Sequence, residues 1–95
     1  MVEWRQTYLE DYDVSEYGEL RLRVSKNNLM AGHVFKGTNA KGYLRYQVNV
    51  NGKRIDAYAH RLVLETFIGK PPTPKHQSAH WDGNPRNNHY SNLRW

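Results

Sequence analysis

Leu44-Arg45-Tyr46-Gln47-Val48-Asn49-Val50-Asn51-Gly52-Lys53-Arg54-Ile55-Asp56-Ala57-Tyr58-Ala59 reads as a β-hairpin with one register. Asn-Gly between two alternating runs favours a two-residue type I′ turn, because both central positions need positive φ. That turn pairs Val50 with Lys53, Val48 with Ile55, Tyr46 with Ala57 and Leu44 with Ala59. All of these but Lys53, at the tip, are apolar or aromatic. The other face pairs Asn49 with Arg54, Gln47 with Asp56, and Arg45 with Tyr58. A slip of one residue would mix the two faces. One face is therefore core, and the other displays Arg45, Gln47, Asn49, Arg54 and Tyr58. Such a face is either solvated, as is usual for an antiparallel sheet, or laid against DNA. Arg, Gln and Asn suit base edges, and Lys and Arg suit phosphates. The hairpin alone leaves both open.

Working outward, Tyr12 to Ser15 reads as a short strand and Glu16-Tyr17-Gly18 as a turn. Leu20, Leu22 and Val24 alternate with Arg21 and Arg23, which predicts a half-buried strand with a basic outer face. Lys26-Asn27-Asn28 is loop. His33 to Lys36 is a further short strand, closed by turns at Gly37-Thr38-Asn39 and Lys41-Gly42. After the hairpin, His60 to Ile68 reads as a helix with Leu64, Phe67 and Ile68 on its apolar face, ended by Gly69 and Pro71-Pro72. His60 is expected as a packed, hydrogen-bonded structural histidine. Arg61 either meets a phosphate or braces Glu65, four residues on.

The stretch from Ser78 to Trp95 carries too much hydrogen-bonding chemistry and too little apolar content for ordinary core. Asp82-Gly83 and Asn84-Pro85 are turn dipeptides, so His80 ends a short strand just before a reversal. A second strand follows near Asn92 to Trp95. A histidine at the mouth of such a loop can be presented to a ligand.

Ninety-five residues make one small domain. Cysteine is absent, which excludes disulfides and thiolate metal sites and fits a reducing compartment. No apolar run has membrane-spanning length and no signal-peptide pattern opens the chain, so a soluble, intracellular, cytoplasmic protein is expected, with no membrane partner. Residues 1–20 hold six acids and one base, leaving thirteen bases and three acids for the rest. A basic body interleaved with seven tyrosines and three tryptophans points to nucleic acid.

The run Ala79-His80-Trp81-Asp82-Gly83-Asn84, with Asn87-Asn88 and then Ser91-Asn92-Leu93-Arg94-Trp95, resembles the HNH endonucleases of the homing and phage type. Ala59-His60-Arg61-Leu62-Val63-Leu64-Glu65-Thr66-Phe67-Ile68 is similar to the His-Arg-Leu-Val helix that tends to precede that motif. Glu3-Trp4-Arg5, Tyr12-Asp13-Val14-Ser15 and Gly18-Glu19-Leu20-Arg21 resemble a DNA-binding module often fused to these nucleases.

The resemblance implies an α+β fold: small antiparallel sheets or hairpins with one central helix, then a ββα-metal (HNH, His-Me finger) motif lacking its C-terminal helix. Within the one domain, residues 1–58 would be the β-rich DNA-binding module and 59–95 the helix and truncated motif. It implies metal-dependent hydrolysis of phosphodiesters in double-stranded DNA, with Mg²⁺ or Mn²⁺ as cofactor, in a phage-infected or bacterial host cell. It makes His80 the general base, a task suited to a pKa near working pH. Asn92 becomes the residue that braces the loop and orients the base. Arg86 and Arg94 are phosphate candidates on charge, and Arg21, Arg23, Arg45, Gln47, Asn49, Arg54 and Arg61 complete the candidate DNA contacts.

Two departures stand against activity. The family places Asp, His or Asn just before the base as a metal ligand, and here that position is Ala79. The second ligand lies on a helix after the Asn-Leu-Arg-Trp segment, and this sequence stops at Trp95. Hard cations need oxygen ligands, so metal binding and cleavage are expected to be weak or absent. Asp82 is a substitute ligand on the far side of the base. A zinc site from His76, His80, Asp82 and His89 matches no closed structural pattern. The alternative function is a non-catalytic DNA-binding protein derived from an HNH scaffold; a protein-interaction module using the aromatics is a third.

Overall fold

The Asn51-Gly52 hairpin forms in the register its sequence dictates. In the computed structural model, which describes residues 2–26 and 28–95, β6 (Tyr43–Val50) and β7 (Lys53–Tyr58) pair from Val50↔Lys53 to Arg45↔Tyr58. Asn51 and Gly52 both take positive φ, at 51° and 80°, as the type I′ turn requires. Tyr46, Val48 and Ala57 are buried, and Gln47, Asn49, Arg54 and Asp56 are exposed. The expected seventh pair, Leu44 with Ala59, does not form. Ala59 already begins a helix, and Leu44 is paired only on the other edge of β6, opposite Asn39.

Asn39 belongs to β5 (Thr38–Ala40), which pairs antiparallel with β6 through a turn at Lys41-Gly42. This corrects the reading of 37–42 as loop. Asn39 and Lys41 carry no alternation, so the strand follows from β6 offering its free edge, not from propensity. The turn has the geometry of its neighbour: Lys41 sits at φ 54° and Gly42 at 92°. A lysine in the left-handed region is unusual, since asparagine and glycine tolerate that conformation best.

A second sheet orders β1 (Trp4–Gln6), β2 (Tyr12–Ser15), β3 (Leu20–Leu22) and β4 (Val34–Phe35) as an antiparallel meander. β2 and β4 lie where the periodicity places them. β1 was not anticipated, its three residues being too few to show a period. β3 ends at Leu22, and Val24 is exposed. The loop predicted at Lys26-Asn27-Asn28 contains Asn27, which lies outside the described residues, and Lys26 forms a bridge with Leu29.

One helical segment joins hairpin and motif. α1 (Ala59–Val63) runs directly into a π-turn (Leu64–Ile68), closed by Gly69 N–H donating to Leu64 O at 2.8 Å. The wider turn rotates the apolar face. Leu62, Val63 and Leu64 are buried, Phe67 is half-buried, and Ile68 is 55% exposed. The expected stripe of Leu64, Phe67 and Ile68 assumed 3.6 residues per turn and fails for that reason. The core gathers Leu9, Tyr12, Val14, Leu20 and Leu22 of the first sheet, Tyr46, Val48 and Ala57 of the hairpin, the helix, and Leu93. No helix among the described residues is long and apolar enough to cross a membrane.

The last elements are β8 (Ala79–His80), a 3₁₀ turn (Tyr90–Asn92) and β9 (Leu93–Arg94). β8 and β9 pair through only Ala79↔Arg94 and His80↔Leu93. The whole is α+β, with antiparallel sheets and one short helix.

Candidate active site around His80

The loop from Trp81 to Asn92 is shaped by carboxamides on one carboxylate. Asp82 Oδ1 accepts from the backbone N–H of Asn84 at 2.8 Å and from Asn92 Nδ2 at 3.0 Å. Its Oδ2 accepts from Asn87 Nδ2 at 3.0 Å. These donors, Asn87 first, hold its carboxyl below the usual carboxylate range. Asn92 is buried and uses all of its side chain: Nδ2 also donates to Asn87 O at 2.9 Å, and Oδ1 accepts from Asp82 N–H at 3.1 Å. The Asn92 carbonyl takes the Trp81 N–H at 2.7 Å. Asn92 thus pins both ends of the loop that begins at His80.

The orientation of His80 comes from a residue the sequence reading passed over. Asn88 is buried, and its Oδ1 lies 2.9 Å from His80 Nε2. An amide oxygen only accepts, so Nε2 carries the proton and Nδ1 keeps the lone pair able to take one from water. Asn88 is itself seated by Gly18. A Cβ built on Gly18, at φ 91°, would stand 3.0 Å from Asn88 Cβ and 3.4 Å from Ala59 Cβ. The only hint in the sequence was that Gly18 closed a turn.

His80 is half-buried against aromatic rings. Its centroid lies 5.2 Å from that of His60 and 6.0 Å from that of Tyr43. His60 is packed as expected but not hydrogen-bonded as expected. It is 8% exposed, and its buried Nδ1 has no partner among the described residues. The helix start points the ring between Tyr43 and Tyr58, at 5.1 and 5.7 Å, instead of toward a polar group. Burial, with the neighbouring His80 and Arg61 second and third, lowers its pKa to about 4.

The remaining candidates divide. Gln47, Asn49 and Arg54 stand exposed on the outer face of the hairpin. Tyr43 and Tyr58 share the parity of that face, so it runs continuously toward His60 and His80. Arg45 is less open than predicted. Thr38 on β5 lies opposite it, and its Nε is buried without a partner among the described residues. Arg21 pairs with Asp13 at 3.3 Å and stacks on Trp4 at 4.2 Å, while Arg23 reaches the same carboxylate at 4.0 Å. Arg61 does brace Glu65, at 3.6 Å, and lies over Trp95. Arg86 is exposed, and Arg94 covers the exposed Trp81 ring at 4.1 Å.

A metal ion finds little here. Ala79 offers a methyl group beside His80, and both Asp82 oxygens are engaged in the loop. Among the described residues, no three His, Asp or Glu side chains converge on a common point. His76 pairs with Thr73, and His89 with Ser91 and Glu16.

Residues 57–95 match the sequence pattern of the HNH endonuclease family. The whole chain is 32% identical to part of an uncharacterised HNH endonuclease of Acanthamoeba polyphaga mimivirus, spanning 27% of that protein. The fold superposes on the HNH homing endonuclease I-HmuI, solved in a study of DNA binding and cleavage. There the TM-score is 0.77 and the identity 34%, over 98% of this chain and 51% of that one. The chain therefore spans about half the length of the solved structure and a quarter of the viral relative.

Proposed function

We propose that this chain, whose residues 57–95 match the HNH endonuclease family, is the DNA-binding and base-presenting part of an HNH endonuclease acting on double-stranded DNA. The observation that carries this is the hydrogen bond from His80 Nε2 to the buried Asn88, at the end of the polar hairpin face. His80 takes a proton from water at Nδ1. Asn88 fixes the tautomer, and Asn92 fixes the loop that holds both. Gln47, Asn49 and Arg54 meet the DNA along the sheet, with Arg86 and Arg94 beside the base. The likeness to a nuclease studied for DNA binding and cleavage supports the same partner.

HNH nucleases are generally metal-dependent, Mg²⁺ or Mn²⁺ supplying Lewis acidity at the phosphate. The described residues do not fit such an ion, because Ala79 and the engaged Asp82 leave no free carboxylate beside His80. Cleavage by these residues is therefore weak, and Ala79 specifically favours a second reading, a DNA-binding protein on an HNH scaffold without catalysis. A supercoiled plasmid with Mg²⁺ or Mn²⁺ tests both, with the chain as it stands beside Ala79→Asp. The expected result is retardation without nicking by the former and slow, metal-dependent open-circle product from the latter. Absence of retardation at low salt would overturn the DNA reading. Efficient nicking by the unaltered chain would overturn the role given to Ala79.

A further inference from the structure

Beside His80, between the Lys41-Gly42 turn and the start of α1, lies a cavity of about 410 Å³. Its walls include Lys41, Tyr43, Tyr58, His60, Arg61 and Ser78. The volume falls in the range of sites that hold small ligands, ~300–1,000 Å³. No acid lines it, although Arg61 reaches Glu65 outside. His60, 8% exposed, also lines it, and its Nδ1 is buried with no partner among the described residues. Buried polar groups are nearly always paired, and one left unpaired asks for a reason.

Lys41 supplies an independent observation. It occupies the left-handed position that Asn51 occupies in the sister turn, at φ 54° against 51°. Asparagine is the residue this turn geometry favours. Local structure therefore gives no reason for lysine, whereas a cation at the rim of this cavity gives one. The turn also faces the motif loop: a Cβ on Gly42 would lie 3.9 Å from Pro85.

We propose that this cavity is a subsite for a backbone phosphate of the DNA strand, next to the phosphate that His80 addresses. Lys41 and Arg61 provide its charge, and the hydroxyls of Tyr43 and Tyr58 provide short-range donors, with the His60 ring packed against both tyrosines. The inference rests on the DNA-binding reading above, and goes further by assigning a place to one phosphate.

The test is Lys41→Asn, which keeps the turn and relieves its backbone. Binding of a fluorescein-labelled 20-base-pair duplex is followed by anisotropy over a salt series, and the ¹⁵N imidazole resonances of His60 by NMR. Lys70→Asn is the control, because Lys70 is exposed and does not line the cavity. Lys41→Asn should melt no lower than the parent chain, bind ~5–10-fold more weakly, and lose about one unit of the log–log salt slope. The duplex-induced shift of His60 should fall by more than half in Lys41→Asn and persist in Lys70→Asn. Unchanged affinity in Lys41→Asn, or a His60 shift that survives it, overturns the subsite while leaving DNA binding intact. Failure of the parent chain itself to bind the duplex overturns the broader reading instead.

Discussion

The hairpin at Asn51-Gly52 and the hairpin that carries His80 are built on opposite principles. The first has six cross-strand pairs and a two-residue turn, and its inner face is core. Backbone and periodicity specify it, and its outer side chains are free to serve another purpose. The second has two pairs. Its loop holds shape because Asn84, Asn87 and Asn92 bind one carboxylate, and the His80 ring is oriented because Asn88 holds it. A ladder distributes its stability over many bonds. A carboxamide network concentrates it in a few atoms, which positions a side chain more sharply and tolerates less change.

The same substitution in the two hairpins should break them unequally. Asn92→Ala leaves Asp82 N–H and Asn87 O without their partner and removes one of the two donors on Asp82 Oδ1, and should lower stability by about 2–3 kcal/mol in urea unfolding. Asn49→Ala, on the exposed face, should change it by less than about 0.5 kcal/mol. Equal losses would end the distinction.

Acid should strike first where the two hairpins meet, at His60. The buried His60 titrates near 4, below the ordinary value of 6.5. As pH falls, the unfolded chain takes this proton before the folded one does. The stability tied to neutral His60 is complete above pH 6.5 and is lost between 6.5 and 4. From about pH 6.5 to 5 the loss should approach about 2 kcal/mol, and His60→Gln should flatten that limb in a melting series. Asp82, held low, adds its loss only at more acid pH. An unaltered limb in His60→Gln would place the acid sensitivity elsewhere.

Two glycines sharpen the contrast further. Gly18 and Gly52 both have positive φ, but only Gly18 has a neighbour where a Cβ would go. Gly18→Ala should cost about 1–2 kcal/mol more than Gly52→Ala in thermal melts, and it should also disturb the His80 imidazole resonances through Asn88. The smallest effect is expected on the outer face. Arg54→Ala should leave the melting temperature unchanged, weaken duplex binding a few-fold, and reduce the salt slope by about one.

What was legible followed this division. The register of β6 and β7, the strands at Tyr12–Ser15 and around Val34, the helix start and the strand ending at His80 all came from alternation and turn residues. β1 and β5 were missed because they are edge strands of three residues, paired by their neighbours and not by their own pattern. The helix face was misread because a π-turn changes the period at Leu64. Of the site, His80 and Asn92 stood out by resemblance. Asn88 did not, since one asparagine among several has no sequence mark saying which is buried against His80. The same holds for Arg45, whose partial burial is set by a strand that was read as loop.

Glu16 accepts hydrogen bonds from His89 and from the backbone of Tyr90, seventy-three residues away in the first case. It lies just after β2, and its partners lie just before β9. At ordinary translation speeds of ~5–20 residues per second, several seconds separate the two. The loop that holds His80 can close on Glu16 only after β9 has followed it out of the ribosome. Two segments far apart in the sequence must therefore both be made before His80 is set in place.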